Sequence, residues 1–143
     1  MKKISWLRLL AVAVLSFAAG SLFTRIQEVR AQSNRVFELR VYHVNPGKLD
    51  ALRTHFREHT LPMFRKYHIT GIGFWDPQDQ PESENTWIYI VAHPNREEAK
   101  KNWAAFQADP QWQKESKAAN GDGQLVNKID STFMDPFEFS PLK

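Results

Sequence analysis

Cysteine is absent from the 143-residue sequence, which excludes disulfide staples, thiolate zinc sites and cysteine nucleophiles. A glycine-rich phosphate loop and a nucleophile elbow are missing too, which disfavours nucleotide-dependent and serine-hydrolase chemistry. Net positive charge is absent beyond the first segment. The formal charge of +3 arises because Lys2, Lys3, Arg8, Arg25 and Arg30 stand against Glu28 alone in the first 31 residues, and everything after them is net −1. No basic surface follows from this, so nucleic acid is not an expected partner. There is no internal repeat and no low-complexity tract. A chain of this length buries one core of ordinary size without covalent help.

The single long apolar run lies at the N-terminus. Leu9 to Phe23 is uncharged over 15 residues and follows a basic start. As a helix it would span roughly 22 Å, short of the ~30 Å hydrocarbon core, which favours an export signal cut after Ala31. The alternative is an uncleaved anchor with snorkelling Arg8 and Arg25, which would then be the domain's one membrane attachment. Residues 1–31 are thus read as signal peptide or anchor, 32–35 as a polar linker and 36–143 as the folded domain. The heavier positive charge before the run sends that domain across the membrane, into a periplasmic or extracellular setting that suits a cysteine-free chain.

Within the domain, Val36 to Val44 alternates at the period of a strand, with Phe37, Leu39 and Val41 on one side and Glu38, Arg40 and Tyr42 on the other. Asn45-Pro46-Gly47 breaks it. Leu49, Leu52, Phe56, Met63 and Tyr67 then share a helical side, interrupted by Pro62, which removes a backbone donor and must kink or restart the helix. Ile69 to Trp75 reads as a short buried strand, Asp76 to Asn85 as a polar loop, and Thr86 to His93 as the strongest strand, β-branched and aromatic throughout. Asn95, with Glu98 three residues on, predicts a capped helix carrying Ala99, Trp103 and Phe106. Asp109-Pro110 repeats the start signal for a second piece through Trp112 to Ala119, which Gly121 and Gly123 end. Leu125 to Met134 is the last strand, and an extended tail follows.

The order strand, helix, strand, strand, helix, strand predicts an α+β, ferredoxin-like βαββαβ domain: a four-stranded antiparallel sheet with both helices on one face. The other face is left bare. The aliphatic side of the first strand is expected to meet the helices. The bare face would then collect Glu38, Arg40, Tyr42, Trp75, Trp87, Tyr89, His93, Lys128 and Asp130. So large a semi-apolar patch calls for a second copy, a ligand, or both.

The run FELRVYHVNPGKLDALRTHFREHTLPMFRKYHITGIGFW, then NWAAFQADPQWQ and the closing FEFSPLK, resembles the NIPSNAP proteins of the dimeric α/β-barrel superfamily over residues 36–143. The resemblance implies a ferredoxin-like domain that pairs through its open sheet face into a barrel-like homodimer. It also implies kinship with small monooxygenases and haem-degrading enzymes that work in a cleft between sheet and helices. The NIPSNAP branch has no agreed catalytic residues to carry over.

Among candidate groups, His55-Phe56-Arg57-Glu58-His59 matches H-x-x-E-H, with two histidines one turn apart as a metal requires. No third ligand is identifiable, so His55 and His59 are read as surface and cap-region histidines and no metal is expected. His59, just before Pro62, is expected to give its proton to a freed carbonyl. Arg40, Tyr42, His59, Trp75 and Tyr89 are the candidate cleft residues, with Arg40 holding a carboxylate or carbonyl while Tyr42 and Trp75 stack on an apolar body. Glu38, Arg40, Trp87, Lys128 and Asp130 are the candidate dimer face, with Glu38 and Arg40 pairing between protomers. Trp103, Phe106 and Trp112 are read as core.

Two functions remain. One is an exported dimeric module that binds a small apolar or aromatic molecule, or a protein partner. The other is a cofactor-independent monooxygenase-like or haem-handling enzyme acting on an apolar aromatic substrate. No cofactor is required by either reading, although haem or a quinone is a candidate ligand. The binding module is preferred because no activated pair of groups stands at fixed spacing.

Overall fold

The computed structural model describes residues 35–143, so the leader and its cleavage point lie outside the described residues. Strand β1 (Val36–Val44) leads into α1 (Leu49–His55), a wide five-residue π turn (Phe56–Thr60) and α2 (Leu61–Lys66). Then come β2 (Thr70–Trp75), the short α3 (Glu82–Asn85), β3 (Thr86–His93), α4 (Arg96–Ala108), α5 (Pro110–Ala119) and β4 (Val126–Met134). The α3 turn occupies a segment expected to be loop throughout. The strands form one sheet in the order β2-β3-β1-β4, every neighbouring pair antiparallel, as the βαββαβ order requires. No helix among the described residues is long and apolar enough to cross a membrane.

Local chemistry sets the element ends as expected. Asn95 caps α4 by accepting the Glu98 backbone N–H at 2.8 Å. Asp109 caps α5 by accepting the Gln111 N–H at 2.6 Å, and Lys66 Nζ donates to its other oxygen at 2.6 Å. These bonds and the Tyr67 hydroxyl hold the Asp109 carboxyl well below the usual range, Lys66 contributing most. Pro62 has no N–H for the carbonyl four residues back. The helix widens ahead of it, and Leu61 N–H reaches back five residues to Phe56 O.

The assignment of faces departs from the sequence expectation. Directly opposed residues of paired strands share a face. Glu38 opposes Val91 and Phe133, Arg40 opposes Tyr89 and Ser131, and Tyr42 opposes Trp87 and Ile129. Tyr89 and Val91 pack with Phe56, Phe64 and Phe106 in the main core, so this face is the one the helices cover. Glu38 and His93 are each 1% exposed. Glu38, Arg40, Tyr42, Trp87, Tyr89 and His93 are therefore corrected from the bare face to the covered one. The reason is aromatic complementarity and hydrogen bonding: Trp103 and the Phe56–Phe64 pair meet this side, and the Glu38 carboxylate finds its partners within the protomer, although Arg40 Nε, Trp87 Nε1 and His93 Nδ1 are buried without one. The bare face is instead aliphatic, with half-buried Leu39, Val41, Ile88 and Ile90. Trp75, Lys128 and Asp130 do lie on it, by register with Ile88, His43 and Val41. Trp75 folds across Gly73, where an added Cβ would come within 2.5 Å of the indole.

Candidate functional site

The cleft is built by a row of residues four apart. Leu52, Phe56, Thr60 and Phe64 all face it. In an uninterrupted α-helix such a row drifts by about 40° per step, because four residues exceed one turn of 3.6. The π turn absorbs the surplus residue, which keeps the row on one wall and brings His55 onto that wall as well. Opposite stand Tyr42 of β1 and the start of β4 from Val126 to Ile129, while Trp103 of α4 and Trp112 of α5 close the sides. The space is about 370 Å³, in the range that holds small organic ligands.

Beneath this cleft sits a buried ionic network. The Glu38 carboxylate accepts from Arg40 Nη1 at 2.7 Å, Trp103 Nε1 at 2.6 Å and Ser131 Oγ at 2.6 Å, and His93 Nε2 lies 3.3 Å away. Burial alone would raise this carboxyl, but the bonds from His93, Ser131, Trp103 and Arg40 outweigh it and bring it down to about 2. The Arg40 guanidinium lies 4.5 Å from the centroid of Trp103 and 5.6 Å from that of Tyr42. Arg40 thus braces two cleft-wall rings from behind, at cation–π distance. Tyr42 and Tyr89 share a hydroxyl hydrogen bond of 2.8 Å. Burial above all, with Tyr42 beside it, pushes the Tyr89 phenol up, so it stays neutral.

His55 is the histidine on the cleft wall. Its ring lies 5.4 Å from that of Trp112 and 5.1 Å from that of His59. Burial first, and His59 second, lower its pKa against a smaller opposing pull from Glu115, so the imidazole is neutral at physiological pH. Among the described residues no carboxylate lines the cleft.

The structure therefore separates residues that the sequence grouped. Tyr42 lines the cleft; Arg40 supports it from behind, and Tyr89 is core at 0% exposed. Trp75, 48% exposed, is on the other side of the sheet. His59 faces an outer recess, where Nδ1 is 3.6 Å from Glu115 Oε2, so its partner is a carboxylate and not a freed carbonyl. Among the described residues no three His, Cys, Asp or Glu side chains converge to hold a metal. Glu38, Arg40 and Trp87 are removed from the candidate dimer face. Asp130 remains there, 2.7 Å from Lys128 and 2.8 Å from His43. Sequence reasoning missed His55, Thr60, Trp103 and Trp112 as cleft residues. The signal available for them was the four-residue spacing from Leu52 to Phe64 combined with Pro62.

The NIPSNAP family model matches residues 37–141. The chain belongs to the NIPSNAP family. Among solved structures, this NIPSNAP chain is similar to a NIPSNAP-like domain protein from Burkholderia xenovorans, at 20% identity and TM-score 0.67, covering 78% of this chain and 93% of that one. A NIPSNAP family protein of unknown function from Agrobacterium tumefaciens is similar at 21% identity and TM-score 0.67, covering 78% and 96%. SnoaB from Streptomyces nogalater, a cofactor-independent oxygenase, shares the fold at 10% identity and TM-score 0.51, covering 76% and 98%. No functionally curated protein matches the chain.

Proposed function

We propose that this NIPSNAP domain binds a small, largely apolar aromatic molecule in the cleft between its helices and the β1–β4 side of the sheet. The observation that carries this reading is a space of about 370 Å³ walled by Tyr42, Phe56, Phe64, Trp103 and Trp112. Rings in such a wall bury large area and stack on planar ligands at little cost in rotamer entropy. The rigid network behind Tyr42 and Trp103 supports it, because a preorganised wall loses less on binding. Calorimetric titration of the full chain with naphthalene tests it. Saturable binding is expected, lost in Ala119→Trp, which fills the space from α5; equal heats in both proteins would contradict it.

A cofactor-independent oxygenase is the second reading, favoured by the neutral His55 imidazole on an apolar wall. It would take a proton from an electron-rich substrate. SnoaB, whose fold is shared, is an oxygenase of that type. Arg40 and His93 are both engaged by the Glu38 carboxylate behind the cleft, which weighs toward binding without turnover. Absorbance titration with a quinone or haem distinguishes the two, since chemistry changes the spectrum irreversibly and binding does not. The proposal also includes a homodimer through the aliphatic sheet face and a location across the membrane from the cytoplasm. The bare Leu39, Val41, Ile88 and Ile90 support the first and the basic, apolar leader the second.

A further inference from the structure

We infer that the cleft selects aromatic molecules bearing a hydrogen-bond donor, a phenolic O–H in particular, held by the Thr60 hydroxyl and the His55 imidazole. The inference rests on the binding reading above and names the ligand class.

Thr60 is 3% exposed and shares the helix wall of the space with His55, Leu52, Phe56 and Phe64, while the other polar lining, Ser116, Asn120, Gln124, Asn127 and Lys128, comes from α5 and the stretch into β4. A hydroxyl oxygen keeps acceptor lone pairs wherever its own proton is given. His55 lies on the same wall by virtue of the π turn, and among the described residues no side chain or backbone group hydrogen-bonds its ring. A neutral imidazole presents one unprotonated nitrogen as an acceptor. Each of these two groups can therefore accept a hydrogen bond and can also donate one. The absence of any lining carboxylate removes the usual anchor for a cationic amine. A plain arene would leave both groups unpaired and an ether can only accept from one of them, whereas a phenol donates to one and accepts from the other. The π turn gains a purpose on this account, since without it Thr60 and His55 would point in directions about 140° apart, five residues at 100° each.

The test is calorimetric titration of the full chain with naphthol, methoxynaphthalene and naphthalene, which share one ring system and differ in the donor. Wild type is expected to bind naphthol at least about tenfold more tightly than either of the others. Thr60→Val, which preserves shape, and His55→Phe are each expected to bring that ratio to within about threefold of unity. Equal affinity of wild type for all three would overturn the inference while leaving the binding reading intact. No binding of any would overturn both. A wild-type preference unchanged in both variants would overturn the assignment to Thr60 and His55. The wild-type series alone decides the ligand class should a variant fail to fold.

Discussion

The indole N–H of Trp103 donates to the carboxylate of Glu38 at 2.6 Å, tying α4 to β1 directly behind the cleft. The same carboxylate holds Arg40 of its own strand and Ser131 of β4, with His93 of β3 beside it. One charged group thus joins three strands and a helix in a site 1% exposed. Its energetics follow from burial: removing one partner of a buried pair strands the other charge.

Glu38→Gln is accordingly expected to lower the unfolding free energy by about 3 to 5 kcal/mol, read from urea denaturation. The double variant Glu38→Gln with Arg40→Met removes both charges and is expected to be more stable than the single variant. Additive losses would show that the pair is not coupled.

The same carboxyl gives a pH signature. Bonds from its neighbours, against burial, lower Glu38 from its ordinary 4.5 to about 2. Between those values the unfolded chain binds more protons at this group than the folded one. Its stabilisation is therefore complete above pH 4.5 and declines as pH falls toward about 2. Comparing urea midpoints at about pH 6 and about pH 3, wild type should lose more than Glu38→Gln. Parallel losses in the two proteins would mean that Glu38 titrates normally.

The aliphatic sheet face yields a third expectation. Ile90, half-buried in the single chain, stands at the centre of the bare surface beside Leu39. If a second copy covers it, wild type should sediment at the mass of two chains and Ile90→Glu at the mass of one, because a carboxylate cannot be desolvated there without a partner. A wild-type monomer at high concentration would refute the dimer.

Most of the fold could be read from the sequence because its signals are local. Asn95 with Glu98, Asp109 with Pro110, and the run from Thr86 to His93 each set an element end or type within a few residues. Pro62 announced the interruption in the first helix, though its form as a π turn depends on the packing of Phe56 and Phe64 against the sheet. The face of β1 was misread for a physical reason. Period-two alternation separates Glu38, Arg40 and Tyr42 from Phe37, Leu39 and Val41, but it does not say which set meets the helices. Hydrophobicity alone favoured the aliphatic set. What decides the matter is satisfaction of Glu38 by residues 55, 65 and 93 positions away, His93, Trp103 and Ser131, which no local pattern contains. The candidate site was less legible for the same reason: Tyr42 was recognised, while Trp103 and Trp112 look like core at helical spacing and are in fact walls of a space.

The central claim is that the aromatic cleft on the helix side is where a ligand sits. Proton–nitrogen correlation spectra of the indole groups during titration with naphthol test it most directly. Trp103 and Trp112 line the cleft, while Trp75 lies across the sheet and serves as an internal control. The prediction is saturable movement of the Trp103 and Trp112 signals with Trp75 unmoved. Movement of Trp75 alone, or of none of the three, would contradict it.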